Sequence, residues 1–411
     1  MQPHTLRRDD IKALSPADRS MLCSIYLHRC LTFEQMYRFY YSKESPKRTY
    51  ANWHLKEMLE KDFLLEISYQ DEEGENKAYF LAATGIVLAK RLFKIPSTVL
   101  PEAPDRCSAY NWHSKDLKLS PSKINHQIHL NTFALQFAER MGNGEMSYLD
   151  EKFVPCKDIY SMRARPDGKV LLPDQALYLE MDMNTERMKS LKMKWDGYRT
   201  FAGTNDFYQE SQQYPSSVLF ILDNVVRVEQ RVKTVLQSLE SSCVTDCFTP
   251  NFDFYIGTPD EMLDISFQHL LSHKPFPLQE WTKGVLHGRF DFQDIQLPEE
   301  VPHAFDFFGK INGQVYAIDT YDRVRGSVLT KMITANRDGV LLGAAMGQPV
   351  RHLVITDQWD LLRRDVGLMK CQGMENNYYA CIKDLETKPF REVLFRIDQF
   401  GNMKEGSISH G

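Results

Sequence analysis

The sequence predicts a mixed chain of α/β class, α+β overall, that opens with a winged helix-turn-helix. Three observations lead there. Three helical patterns and a strand pair follow one another before residue 95. A strand, turn, strand and helix run through RARPDGKVLLPDQALYLEMDMNTERMKSLKMKWDGY, from Arg163 to Tyr198. The same order returns after residue 300, beginning FDFFGKINGQVYAID.

At 411 residues the chain has room for two or three domains, each with its own core. Its 50 basic and 55 acidic side chains nearly cancel, so any basic surface must be local. The eight cysteines form no framework: Cys243 and Cys247 are the only close pair, and no CxxC spacing completes a zinc site. The expectation is a reduced, cytoplasmic chain. MQPHTLRRDD has no apolar segment of signal-peptide type. No run approaches the ~20 apolar residues that cross a bilayer, so no membrane partner is expected.

The first helix is read from SPADRSMLCSIYLHRC, where Met21, Leu22, Ile25 and Tyr26 keep helical spacing and Ser15 and Asp18 form a capping pattern. LTFEQMYRFYY gives the second, with Thr32 as N-cap and Gln35 three residues on. SPKRTYANWHLKEMLEKDFL gives the third, with Ser45 as N-cap and Pro46 in the first turn. LLEISYQ and KAYFLAA flank DEEGEN and read as a hairpin. In such an order the third helix is the one that enters a major groove. Lys47, Arg48, Thr49, Tyr50, Asn52 and His54 are its candidate DNA contacts, to phosphates and base edges of double-stranded DNA. The wing tip is acidic (Asp71, Glu72, Glu73, Glu75), which repels phosphate and leaves protein docking as the competing use.

Residues 96–122 are proline-rich and read as a linker after a first domain at 1–95. KINHQIHLNTFALQFAERM is an amphipathic helix; His126 and His129 share a face and read as polar packing residues, with no third ligand for zinc. A nuclease-like domain is expected over 123–245. In its hairpin, with the turn at Pro173-Asp174, Asp167 falls opposite Glu180, and Glu180 and Asp182 share a strand face. Three converging carboxylates call for a hard cation, Mg²⁺ or Mn²⁺, held by Asp167, Glu180 and Asp182. Lys189, Lys192 and Lys194 lie on the following helix, and Lys194 shares a face with Tyr198. The competing reading is a half-exposed strand with solvated acids.

The order Pro-Asp, Glu-x-Asp and helical lysine resembles the PD-(D/E)xK nuclease superfamily. The longer pattern RPDG…YLEMDMNTE…KWDGY, behind a winged helix and HQIHLN, resembles the replication-relaxation family, which includes MOBC-type relaxases of plasmids and conjugative elements. The resemblance runs from about residue 15 to about residue 240. It implies a restriction-endonuclease-like core that nicks DNA at a transfer or replication origin. On it, Asp167, Glu180 and Asp182 would be metal ligands and Lys194 the catalytic lysine. Asp182 stands where the superfamily places its lysine, so the helix must supply one. The alternative is a non-catalytic DNA-binding regulator of a mobile element, or an accessory factor docking other relaxation-complex proteins.

Residues 246–411 read as a second, degenerate nuclease-like domain. Asp319 precedes Lys331 by twelve positions, as Asp182 precedes Lys194, and Ser327 keeps the offset of Ser190. In that register Asp306 stands near Asp167, and Ala317 meets Glu180.

Overall fold

In the computed structural model the described residues are 11–71, 74–93, 112–142, 144–152, 166–184, 186–202, 204, 216–223, 225, 227–241, 252–272, 274–296, 305–369, 376–398 and 402–405. Glu72, Glu73, Cys243, Cys247 and most of the expected linker lie outside them. The chain divides into two compact units, residues 1–160 with 165–181, and residues 161–164 with 182–411.

The first unit begins with α1 (Pro16–His28), β1 (Cys30–Thr32), α2 (Phe33–Phe39), α3 (Arg48–Glu60), β2 (Leu64–Asp71) and β3 (Gly74–Leu81). That is the element order of a winged helix, and the three strands form one sheet in the order β1-β3-β2. Local chemistry starts its first two helices. The Ser15 hydroxyl accepts from the Asp18 N–H, and the Asp18 carboxylate accepts from the Ser15 N–H. Thr32 and Gln35 repeat the same reciprocal cap, which satisfies backbone donors that the first helical turn leaves open. The third helix starts later than the sequence suggests, at Arg48 with Lys47 as N-cap; the Ser45 hydroxyl instead accepts from the Lys47 N–H. Gly74, at φ +127°, turns the hairpin where a side chain would be strained. Met21, Leu22, Ile25, Leu31, Met36, Ala51 and Met58 are buried in the core beneath these elements.

Helix α4 (Pro121–Met141) follows, then β4 (Ser147–Asp150), β5 (Gly168–Leu171) and β6 (Ala176–Asp182), paired antiparallel in that order. The turn between β5 and β6 closes from the Leu172 N–H to the Gln175 carbonyl at 3.0 Å, around Pro173-Asp174. The boundary between the units falls within β6, after Met181.

The second unit carries α5 (Met188–Ala202), β7 (Ser216–Leu222), α6 (Val228–Ser241) and β8 (Phe252–Gly257), with β7 and β8 parallel. A seven-stranded sheet follows: β9 (Gln293–Asp294), β10 (Phe307–Ile311), β11 (Gln314–Thr320), β12 (Val350–Thr356), β13 (Tyr378–Cys381), β14 (Phe395–Ile397) and β15 (Met403–Glu405), side by side in reverse numerical order. Strands β11, β12 and β13 are parallel. Helix α7 (Gly326–Met346) makes the crossover from β11 to β12. Asn312 and Gly313, both at positive φ, form the tight turn between β10 and β11. A Cβ on Gly326 would stand 1.6 Å from the Phe254 ring, so the first turn of α7 tolerates only glycine there.

The two hairpins coincide at an offset of 139 residues. Gly168 pairs with Leu179 as Phe307 pairs with Ile318. The Asp167 carboxylate accepts from the Met181 N–H at 2.9 Å, and the Asp306 carboxylate accepts from the Thr320 N–H at 2.8 Å. Asp306 therefore matches Asp167, as the sequence suggests, but Asp319 matches Glu180 rather than Asp182. The backbone ladder sets this register, and the shared spacing from aspartate to lysine does not.

Candidate functional site

Two groups of side chains could carry function: the outer face of α3, and the acids on the hairpins.

On α3, Lys47, Arg48, Thr49 and Asn52 are exposed and Tyr50 is half-buried. Arg48 forms an ion pair with Glu34 and lies over the Phe33 and Tyr37 rings at 5.7 and 5.3 Å. The Tyr50 hydroxyl donates to Glu44 at 2.8 Å. His54 faces the other way. It is buried, with Nδ1 3.0 Å from Asp18 Oδ1, and Tyr41 donates to the same carboxylate at 2.8 Å. It ties α3 to α1 and is not placed to touch DNA. Trp53, 60% exposed, was not singled out in the sequence; a large apolar side chain left in water on a helix face is its signal.

In the first unit, Asp167 lies just before β5, whose Gly168 pairs with Leu179 of β6, and its carboxylate accepts from the Met181 N–H. Glu180 is fully buried. His126 on α4 reaches the same strand end, with Nε2 2.9 Å from the Met181 carbonyl and 3.5 Å from Asp167. This histidine, read from sequence as a packing residue, is thus a neighbour of the predicted acid.

In the second unit, Asp182 is buried and accepts from Arg231 of α6 in a two-pronged ion pair, Nε to Oδ2 and Nη2 to Oδ1 at 2.9 Å. Its Oδ1 also accepts from the Asn184 N–H at 2.9 Å. Arg231 Nη1 donates to the Glu186 carbonyl at 2.8 Å, which fixes the segment leading into α5. Lys194 is largely buried, 3.2 Å from the Glu186 carboxylate and over the Phe220 ring. Tyr198 is buried beside Trp195 and Phe252, a packing position. The exposed Lys192 and Lys189 project from the same helix. Among the described residues, no group of three or more His, Cys, Asp or Glu side chains is placed to hold a metal ion. In this arrangement the Arg231 guanidinium takes both oxygens of Asp182.

The second hairpin is also ion-paired. Asp306 Oδ1 is 3.0 Å from Arg325, whose Nε reaches Asp253 at 2.7 Å. Asp319 is fully buried, paired through Oδ1 to Lys331 and through Oδ2 to His352 Nε2 at 2.8 Å. Burial alone would raise the Asp319 carboxyl; Lys331 and His352 more than offset it and hold it well below the ordinary range. His352 Nδ1 faces Asn377 Oδ1 at 2.6 Å, and the Asn377 amide nitrogen donates to the Met332 carbonyl. Both ring nitrogens of His352 thus have side-chain partners, Asp319 and Asn377. Neither His352 nor Asn377 was read from the sequence as part of this group.

Residues 22–215 match the model of the replication-relaxation family, the family that the sequence resembles. Neither a curated protein nor a solved structure matches the chain. Among the described residues, no helix is long and apolar enough to cross a membrane.

Proposed function

We propose that this chain is a cytoplasmic DNA-binding protein of replication or relaxation in a plasmid or other mobile element. Its winged helix contacts duplex DNA, and its nuclease-like hairpins serve as ion-paired scaffold. The two-pronged Asp182–Arg231 pair carries this reading. A buried carboxylate engaged at both oxygens by a guanidinium is already neutralised, and releasing it would leave a buried charge alone. Lys47, Thr49 and Asn52, exposed on the first turns of α3, supply the DNA contacts, with Arg48 beside them. The test is binding of duplex DNA flanking the protein's own gene, titrated at several salt concentrations. Affinity that falls with salt, and falls again in Lys47→Ala/Asn52→Ala, supports the reading. Binding that ignores both salt and substitution refutes it.

A second reading, metal-dependent nicking with Mg²⁺ or Mn²⁺, draws support from the Asp167 carboxylate held at the Met181 N–H, next to Glu180 in the chain. It requires Asp182 to leave Arg231 and Lys194 to leave Glu186.

A further inference from the structure

The second unit holds a cavity of about 700 Å³ between the C-terminal half of α7 and the ends of β12, β13 and β14. Its described lining includes Arg351, Arg396 and His352 and no carboxylate, in a chain whose net charge is −5. The guanidinium carbons of Arg351 and Arg396 lie 5.5 and 5.0 Å from the centre of the Tyr378 ring. Arg396 Nη2 donates to the Tyr378 hydroxyl at 3.0 Å, and Arg351 bonds the Tyr316 hydroxyl. Arg351 Nη1 and Arg396 Nε have no hydrogen-bond partner among the described residues.

We infer that this cavity binds a phosphate ester anion, carried by a nucleotide or by the backbone of a DNA strand. Two guanidiniums against one ring repel each other, and an oxyanion in the cavity beside them offsets that repulsion. Planar guanidinium forks match the spacing of phosphate oxygens. The open volume admits a ligand of nucleotide size, which a site built for a lone carboxylate would not need. The inference does not depend on the winged-helix reading.

The experiment is hydrogen–deuterium exchange on the full chain, with thymidine 5′-monophosphate and with a short single-stranded oligothymidylate, on wild type and Arg351→Gln/Arg396→Gln. Slowed exchange in peptides covering 349–356 and 377–397, with binding weakened by about tenfold or more in the double variant at unchanged melting temperature, supports the inference. Protection by the mononucleotide points to a free nucleotide; protection by the oligonucleotide alone points to strand phosphates. No protection of these peptides in wild type with either probe overturns it, as does equal protection in a folded double variant. Peptides over 47–60 report the winged helix separately, so the two readings can fail independently.

Discussion

Asp182 gives both carboxylate oxygens to Arg231, a residue 49 positions further along the chain, and both side chains are nearly excluded from solvent. Removing one partner of such a pair strands a buried charge. Arg231→Ala should cost the second unit about 3–5 kcal/mol, while Asp182→Leu/Arg231→Met should cost much less. Urea unfolding of the three proteins measures this. Equal losses in the single and double variants would show that the pair does not account for the cost.

Asp319 is the corresponding test in the second hairpin. Its carboxyl is held below the ordinary value of 3.8, so the stability it contributes is present above that value and is lost as pH falls through the lower, folded one. Asp319→Asn should lower stability at neutral pH and flatten the acid limb of the pH–stability curve. An unchanged acid limb would contradict the role assigned to Lys331 and His352.

Two buried groups of the first unit titrate in opposite senses. Burial lowers His28, stacked on Tyr148, to about 4, so its contribution is lost as pH falls from 6.5. Burial raises Asp150 to about 6 despite Arg29 beside it, so its contribution is lost as pH rises from 3.8 through 6. The effects oppose one another over the same window. His28→Gln should unmask stability that grows on acidification between pH 6 and 4, and Asp150→Asn should unmask the reverse. Urea midpoints across that range decide, and profiles identical to wild type in both variants would count against the assignment.

On α3 the account separates contact from scaffold. Lys47→Ala should weaken duplex binding across sequences and reduce the salt slope by about one. His54→Gln should lower the melting temperature, through the lost Asp18 bond, and leave affinity nearly unchanged. A binding loss in His54→Gln without a stability loss would reverse these roles.

Much of this molecule is legible in its sequence where the determining interactions are local. The Ser15–Asp18 and Thr32–Gln35 caps close over three residues, and the Pro173-Asp174 turn joins β5 to β6. What could not be read is long-range. Arg231 lies on a helix whose pattern shows only amphipathicity, and His54 shares its helix with exposed residues while facing Asp18. The repeat was legible in outline but misregistered. Both lysine helices offer a buried lysine, yet Lys331 meets the strand acid and Lys194 meets Glu186 from the connecting segment. Matching the lysines hides two extra residues between Glu180 and Lys194.

The most direct test is conversion of supercoiled plasmid carrying the flanking DNA, with protein in excess and Mg²⁺ or Mn²⁺ present. If the carboxylates are scaffold, wild type, Asp167→Ala and Glu180→Ala yield no nicked circle above the protein-free control, although wild type binds the DNA. Nicking by wild type that is abolished by EDTA and by either substitution would contradict the account and make Asp167 and Glu180 catalytic.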